Sequence, residues 1–162
     1  DITIDNLNEY LDLQGDNITI DGKGHTIIVT ATNYPGFIKN GARMAGSYAL
    51  CANCTIKNIR VVASGGGSLD GDGGWIGQLY FGREINGGNI LFENCSSSGD
   101  IGNNVDGAAG IIGNMVGRDM VDSTITFNNC YSTGVIGSWS GGIFGAYAGY
   151  NMSSSTITAN NC

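Results

Sequence analysis

Asp70 and Asp72 stand two residues apart in the glycine-rich run SLDGDGGW, residues 68–75. Two carboxylates so spaced, with glycine between, are half of what a calcium loop uses. The bidentate glutamate that such a loop needs at its twelfth position is replaced by Phe81. The pair is thus a weak metal candidate, and its plainer reading is an acidic surface turn. The overlapping run GGGSLDGDGG is not a phosphate loop, because no Gly-Lys-[Ser/Thr] follows it. The sole histidine, His25 in GKGHT, would have to serve any Ser-His-Asp site, and no Gly-x-Ser-x-Gly context supports one. Cys51 and Cys54 form a single CxxC without a second pair, which does not complete a zinc site. No catalytic residue and no cofactor is expected.

Other residues could meet partners. Tyr131, Trp139, Tyr147 and Tyr150 crowd the C-terminal end. They read first as core and cross-coil stacking, and second as a partner or glycan face, since exposed aromatics with polar neighbours serve both. Asn17, Asn53, Asn94 and Asn151 sit in N-x-[Ser/Thr] sequons. On a secretory route, Asn17 and Asn151 would be the acceptors. Asn94 falls in an expected inner ladder, where an acceptor would be poorly placed.

Composition narrows the partners. Apolar residues make up 41% of 162 residues, enough for one domain with a core. The net charge of −7, without a basic patch, argues against nucleic acid. No apolar run approaches the roughly 18 residues of a transmembrane helix, so no membrane insertion is expected. Charge is uneven: six of 14 acidic residues precede position 22, and none of residues 123–162 is charged. Glycine is the commonest residue at 28 against one proline, Pro35, which suits a chain that turns often and packs its backbone closely.

The elements that hold these residues are repeats. TITFNNC at Thr124 matches TITANNC at Thr156, NILFENC at Asn89, NCTIKNI at Asn53 and NITIDGK at Asn17. The steps between starts are 36, 36, 35 and 32 residues. Within the phrase, Ile90, Ile125 and Ile157 share the second position, and Phe92 and Phe127 the fourth, alternating with Thr126 and Thr158. Such alternation is the mark of a half-buried strand. The sixth position holds Asn94, Asn129 and Asn161, and the seventh Cys95, Cys130 and Cys162. Cysteine there replaces Ile59 and acts as a small buried hydrophobe. A second phrase, GGWIG, AGIIG and GGIFG, starts at Gly73, Ala109 and Gly141. Each unit thus holds three short strands joined by Gly, Asn and Ser turns. One such unit cannot bury its own apolar face, but stacked units can, with like residues about 4.8 Å apart.

The expectation is an all-β, right-handed parallel β-helix of about four to five coils. Residues 1–16 are expected to form a short helical cap, with Asp5 as N-cap and Leu7, Tyr10 and Leu11 on one face. Residues 17–162 are the coils. The last phrase stops after one strand, so the ladder is expected to continue in a longer parent chain. The seventh-position thiols are expected to be buried one above the other.

NITIDGKGHTI resembles the first coil of pectin-lyase-like β-helices. NNCYSTGVIG and GGIFGAYAG resemble the GLUG-type glycine-rich repeats of bacterial surface proteins. TNYPGFIKNG and GGWIGQLYFG look closer still to β-helix repeat proteins of large DNA viruses of protists. The likeness covers nearly the whole chain, and its motifs are structural. It implies a virion or extracellular surface location. It also implies a structural or adhesive module of a surface, fibre or virion assembly, without catalysis. The partners would be copies of itself or other structural subunits, met through the C-terminal edge, with glycans as a further possibility. The alternative is a carbohydrate-binding or polysaccharide-degrading domain, since many β-helices are lyases or hydrolases. The aspartate pair, Gly-His-Gly and Arg-x-Lys of the hydrolases do not occur here.

Overall fold

The alternating stretches fold as strands. The computed structural model describes residues 1–42, 48–102 and 107–162. The strands are β1 (Ile2–Ile4), β2 (Leu11–Asp12), β3 (Ile18–Asp21), β4 (Thr26–Val29), β5 (Ile38–Lys39), β6 (Cys54–Lys57), β7 (Arg60–Ala63), β8 (Asn89–Glu93), β9 (Ser96–Ser97), β10 (Thr124–Asn128), β11 (Tyr131–Ser132) and β12 (Thr156–Asn160). One sheet runs β1-β4-β7-β9-β11, a second β12-β10-β8-β6-β3, and β2 pairs with β5 on a third face. Every pairing is parallel. The chain visits the three faces in the same order on each turn, which makes an all-β parallel β-solenoid of about four turns. Past β5 the third face continues as single bridges, Ile38 to Gly77, Gly77 to Ile112 and Ile112 to Phe144.

Register follows the repeat. Ile125 lies opposite Ile90 on one side and Ile157 on the other. Burial alternates along β8 and β10, so Ile90, Phe92, Ile125 and Phe127 face the interior. Phe81, Phe92, Phe127 and Phe144 form a continuous chain of ring contacts along the axis. Trp75 fills the interior elsewhere, donating from Nε1–H to the Gly99 carbonyl at 3.0 Å. A β-carbon at Gly99 would run into that indole, which is why the position has none. Burying each such ring stabilises the fold by roughly 1.5–3 kcal/mol.

The corners explain the asparagines. Asn58, Asn94 and Asn129 follow their strands directly and hold φ of 53°, 52° and 53°. One left-handed residue turns the chain from the second sheet into the first, and asparagine tolerates that conformation better than other residues with a β-carbon.

The N-terminal segment departs from expectation. No helix occurs among the described residues. Residues 1–16 instead supply β1 and β2, paired with β4 and β5. Between them the Glu9 carboxylate accepts the Asp5 and Asn6 N–H groups, at 3.1 and 3.4 Å, and Asn6 Oδ1 accepts from Asn8 N–H at 3.0 Å. Those side chains hold a local turn. The six residues between β1 and β2, 5–10, are far fewer than the roughly 12–15 below which a lone helix is marginal. Leu7 and Leu11 stay exposed, so no apolar helical face exists to bury.

Candidate functional site

Of the residues with catalytic or metal-binding chemistry, Asp72, Cys51 and Cys54 are engaged in the scaffold. The Asp72 carboxylate accepts from Asn114 Nδ2 one turn on, at 2.9 Å. Asp70 anchors a turn, its carbonyl accepting from Gly73 N–H at 3.0 Å. Among the described residues no three His, Cys, Asp or Glu side chains converge on a metal position. His25 is exposed, with Nδ1 3.7 Å from the Asp1 carboxylate. Cys51 and Cys54 are both buried, and that burial pushes the Cys54 thiol up, away from a reactive thiolate.

The polar exterior is organised along the axis. Asn129 Nδ2 donates to Asn94 Oδ1 at 3.2 Å, Asn94 Nδ2 to Asn58 Oδ1 at 3.3 Å, and Asn58 Nδ2 to Asp21 Oδ1 at 2.9 Å. This column lies on the outer corner, with Asn94 and Asn129 exposed. The expected inner position of Asn94 is therefore corrected: the left-handed turn swings the side chain outward while Cys95 points in. Beside it Lys57 Nζ reaches Asp21 Oδ2 at 3.6 Å, and Asn160 Nδ2 donates to Asn128 Oδ1 at 2.9 Å. At the strand starts Asn53 Nδ2 donates to Asp16 at 2.9 Å, Asn89 N–H to Asn53 Oδ1 at 3.2 Å, and Thr124 Oγ1 to Asn89 Oδ1 at 2.7 Å. These amides hold carboxyls below the ordinary aspartate value: Asn53 acts on Asp16, Asn58 on Asp21 and Asn151 on Asp119.

The last turn is different. β12 pairs with β10 on one side only. Ile157 is half-buried, and Val135, Ile136 and Trp139 are exposed. The four aromatics singled out from sequence occupy separate places on this turn. Tyr131 starts β11, Trp139 sits in the following turn at 80% exposure, and Tyr147 and Tyr150 lie before β12. Only Tyr147 and Tyr150 are in ring contact, edge to face at 6.5 Å. The thiol column also divides here. Cys95 and Cys130 are buried, but Cys162 is exposed, contrary to the expectation of three buried thiols.

The chain matches no family model, no curated protein and no solved structure. Its functional reading therefore stands on its own side chains.

One further cluster carries recognition chemistry that the sequence reading passed over. Arg83 lies 5.3 Å from the centroid of the Tyr80 ring, and Arg118 lies 5.5 Å from Tyr80 and 5.4 Å from Tyr150. Each guanidinium also meets its neighbouring carboxylate, Arg83 to Glu84 at 2.8 Å and Arg118 to Asp119 at 3.0 Å. The signal was present as a third recurring phrase, YFGREI, MVGRDM and YAGYNM, at Tyr80, Met115 and Tyr147.

Proposed function

We propose that this chain is a structural or adhesive module of a surface, fibre or virion assembly, without catalysis. It is built as a right-handed parallel β-helix of the pectin-lyase-like, GLUG-type kind. The handedness follows the strong preference of parallel crossovers within one sheet. The observations that carry the reading are the in-register ladder of like residues and the stretch free of charge from Ser123 to Cys162, where the last strand of this structure, β12, leaves one side open to a further layer, of this chain or of another. Unpaired backbone N–H and C=O groups are a template for another strand, and lysine and glutamate are the usual protection. A neutral surface bearing Tyr and Trp also has the composition of an interface core. The partners are further structural layers, and the setting is a virion or extracellular surface. Light scattering across a micromolar-to-millimolar series tests this. The mean mass should rise with concentration, and Thr158→Lys should suppress the rise. A monomer throughout, indifferent to Thr158→Lys, would reject the reading.

A second reading is favoured by Trp139, at 80% exposure in a left-handed turn with φ 62°. An open indole suits a sugar face, which makes the domain a carbohydrate-binding one. Trp75 is buried, so Trp139 fluorescence should report a titration with soluble polysaccharide, and Trp139→Ala should abolish the response.

A further inference from the structure

Cys54 is the one cysteine in a column otherwise held by Ile18, Ile90, Ile125 and Ile157. Three residues before it stands Cys51, and the chain bends at Ala52 and Asn53 between them. The bend is clamped from two sides. Asn40, itself 1% exposed, donates from Nδ2 to the Cys51 carbonyl at 2.8 Å, and its Oδ1 accepts the Cys51 N–H at 3.1 Å. The Asp16 carboxylate accepts the backbone N–H of Asn53 and also its Nδ2, the latter at 2.9 Å. Cys54 is the first residue of β6, fixed between Ile18 and Ile90. The Cys51 thiol lies back along the bend, 3.4 Å from the Asn53 carbonyl. Both side chains are buried, and the Cys54 thiol is pushed up first by that burial and then by the Cys51 thiol beside it. The ends of a four-residue turn lie within about 7 Å of each other, at which a disulfide can close. Cys95 and Cys130 differ. They stack on adjacent turns, between the paired residues Glu93–Asn128 and Ser96–Tyr131. Side chains leaving parallel strands side by side keep their β-carbons near the strand spacing of about 4.8 Å, wider than the roughly 3.8 Å that a disulfide prefers.

We propose that Cys51 and Cys54 are a redox pair, closing to a disulfide that ties the bend after β5 to the first residue of β6. The oxidant is a small disulfide such as oxidised glutathione. One cysteine, as thiolate, attacks a sulfur of that disulfide, forming a mixed disulfide and releasing one small thiol. The other cysteine sulfur then attacks the mixed bond, closes the Cys51–Cys54 bond and releases the second small thiol. Two electrons pass from the pair to the oxidant, and the two cysteine protons end on the two released thiols. Burial keeps the closed bend from reacting quickly, so exchange proceeds through local opening, which the Asn40 and Asp16 clamps oppose. On an extracellular surface, oxidising conditions favour the disulfide. The ring spans only residues 51–54, so it fixes the bend locally and adds little to global stability. The pair acts whether or not another layer covers β12.

The test uses the reduced 162-residue chain, incubated in its native state with oxidised glutathione, then quenched in acid, unfolded, alkylated and cut with trypsin. Cleavage after Arg43 and Lys57 releases both cysteines in one peptide, residues 44–57. Cys95 falls in the peptide 84–118, and Cys130 and Cys162 fall together in 119–162. The expected result is that peptide 44–57 loses two hydrogens and takes up no alkyl group, while Cys95 and Cys130 remain open to alkylation after unfolding. The loss should reverse in excess reduced glutathione and vanish in Cys51→Ser. Two alkyl groups on 44–57 after native incubation, under conditions that oxidise the urea-unfolded chain, would overturn the proposal. So would glutathione held on Cys51 or Cys54 without closure, or a disulfide that joins 44–57 to either of the other two peptides.

Discussion

Phe92 and Phe127 lie one turn apart with ring centroids at 5.1 Å and planes 16° from parallel. Their strands are in register there, so the rings stack because the backbone does. Phe127 also touches Phe144 at 5.8 Å, while its register neighbour on β12 is only Ala159. Phe127→Ala should cost about 3–5 kcal/mol in urea or guanidinium unfolding, since the ring is fully buried. Phe127→Leu should cost less, because most of the volume remains.

Asn94 links Asn58 to Asn129 and holds φ at 52°. Asn94→Gly keeps the turn and loses two exposed side-chain bonds, for about 1 kcal/mol. Asn94→Val adds the strain of a branched residue in left-handed backbone, bringing the loss to roughly 2–3 kcal/mol. Chemical denaturation should rank them so. Equal losses would mean that the turn geometry contributes nothing.

Sequence alone gave the strands of the second sheet because a period of two is visible in seven residues. It also placed Ile125 between Ile90 and Ile157, since in-register stacking makes equal columns of equal residues. The N-terminal segment misled because Leu7, Tyr10 and Leu11 mimic a helical face over too few residues to compete with pairing to β4 and β5. Aligning the phrases GGWIG and AGIIG would set Gly77 against Gly113, whereas the structure sets Gly77 against Ile112. That choice preserves the step that sets Ile90 opposite Ile125. The Arg118 stack was hidden because arginine, methionine and tyrosine in its columns share backbone conformation and cross-turn contact rather than residue type.

Asp16, Asp21 and Asp119 have carboxyls held low by the amides of Asn53, Asn58 and Asn151. A lowered folded-state value gives stability that is complete above the unfolded aspartate pKa of about 3.9 and is lost as pH falls through the lower folded values. The melting temperature should therefore be flat from neutrality to about pH 5 and fall below about pH 4. Asn58→Ala should flatten the acid limb by removing the main contact that lowers Asp21. An unchanged limb in that variant would argue against the ladder as its source.

Of five cysteines, four are buried and Cys162 alone is exposed. A water-soluble maleimide should modify one thiol per native chain quickly and the other four only on unfolding, with peptide mass spectrometry placing the fast site at Cys162. Fast labelling at Cys95, whose thiol is pushed up by its contact with Cys130 and by burial, would contradict the packing.

The account turns on the open side of β12, and amide hydrogen exchange read strand by strand at rising protein concentration tests it most directly. β8 and β10 are flanked on both sides and should be protected alike at every concentration. The β12 amides that do not bond to β10 should exchange freely when dilute and become protected as the chain is concentrated, and Thr158→Lys should abolish that gain. Exchange in β12 that does not change with concentration, in a chain whose β8 and β10 are fully protected, would contradict the claim that this edge receives another layer.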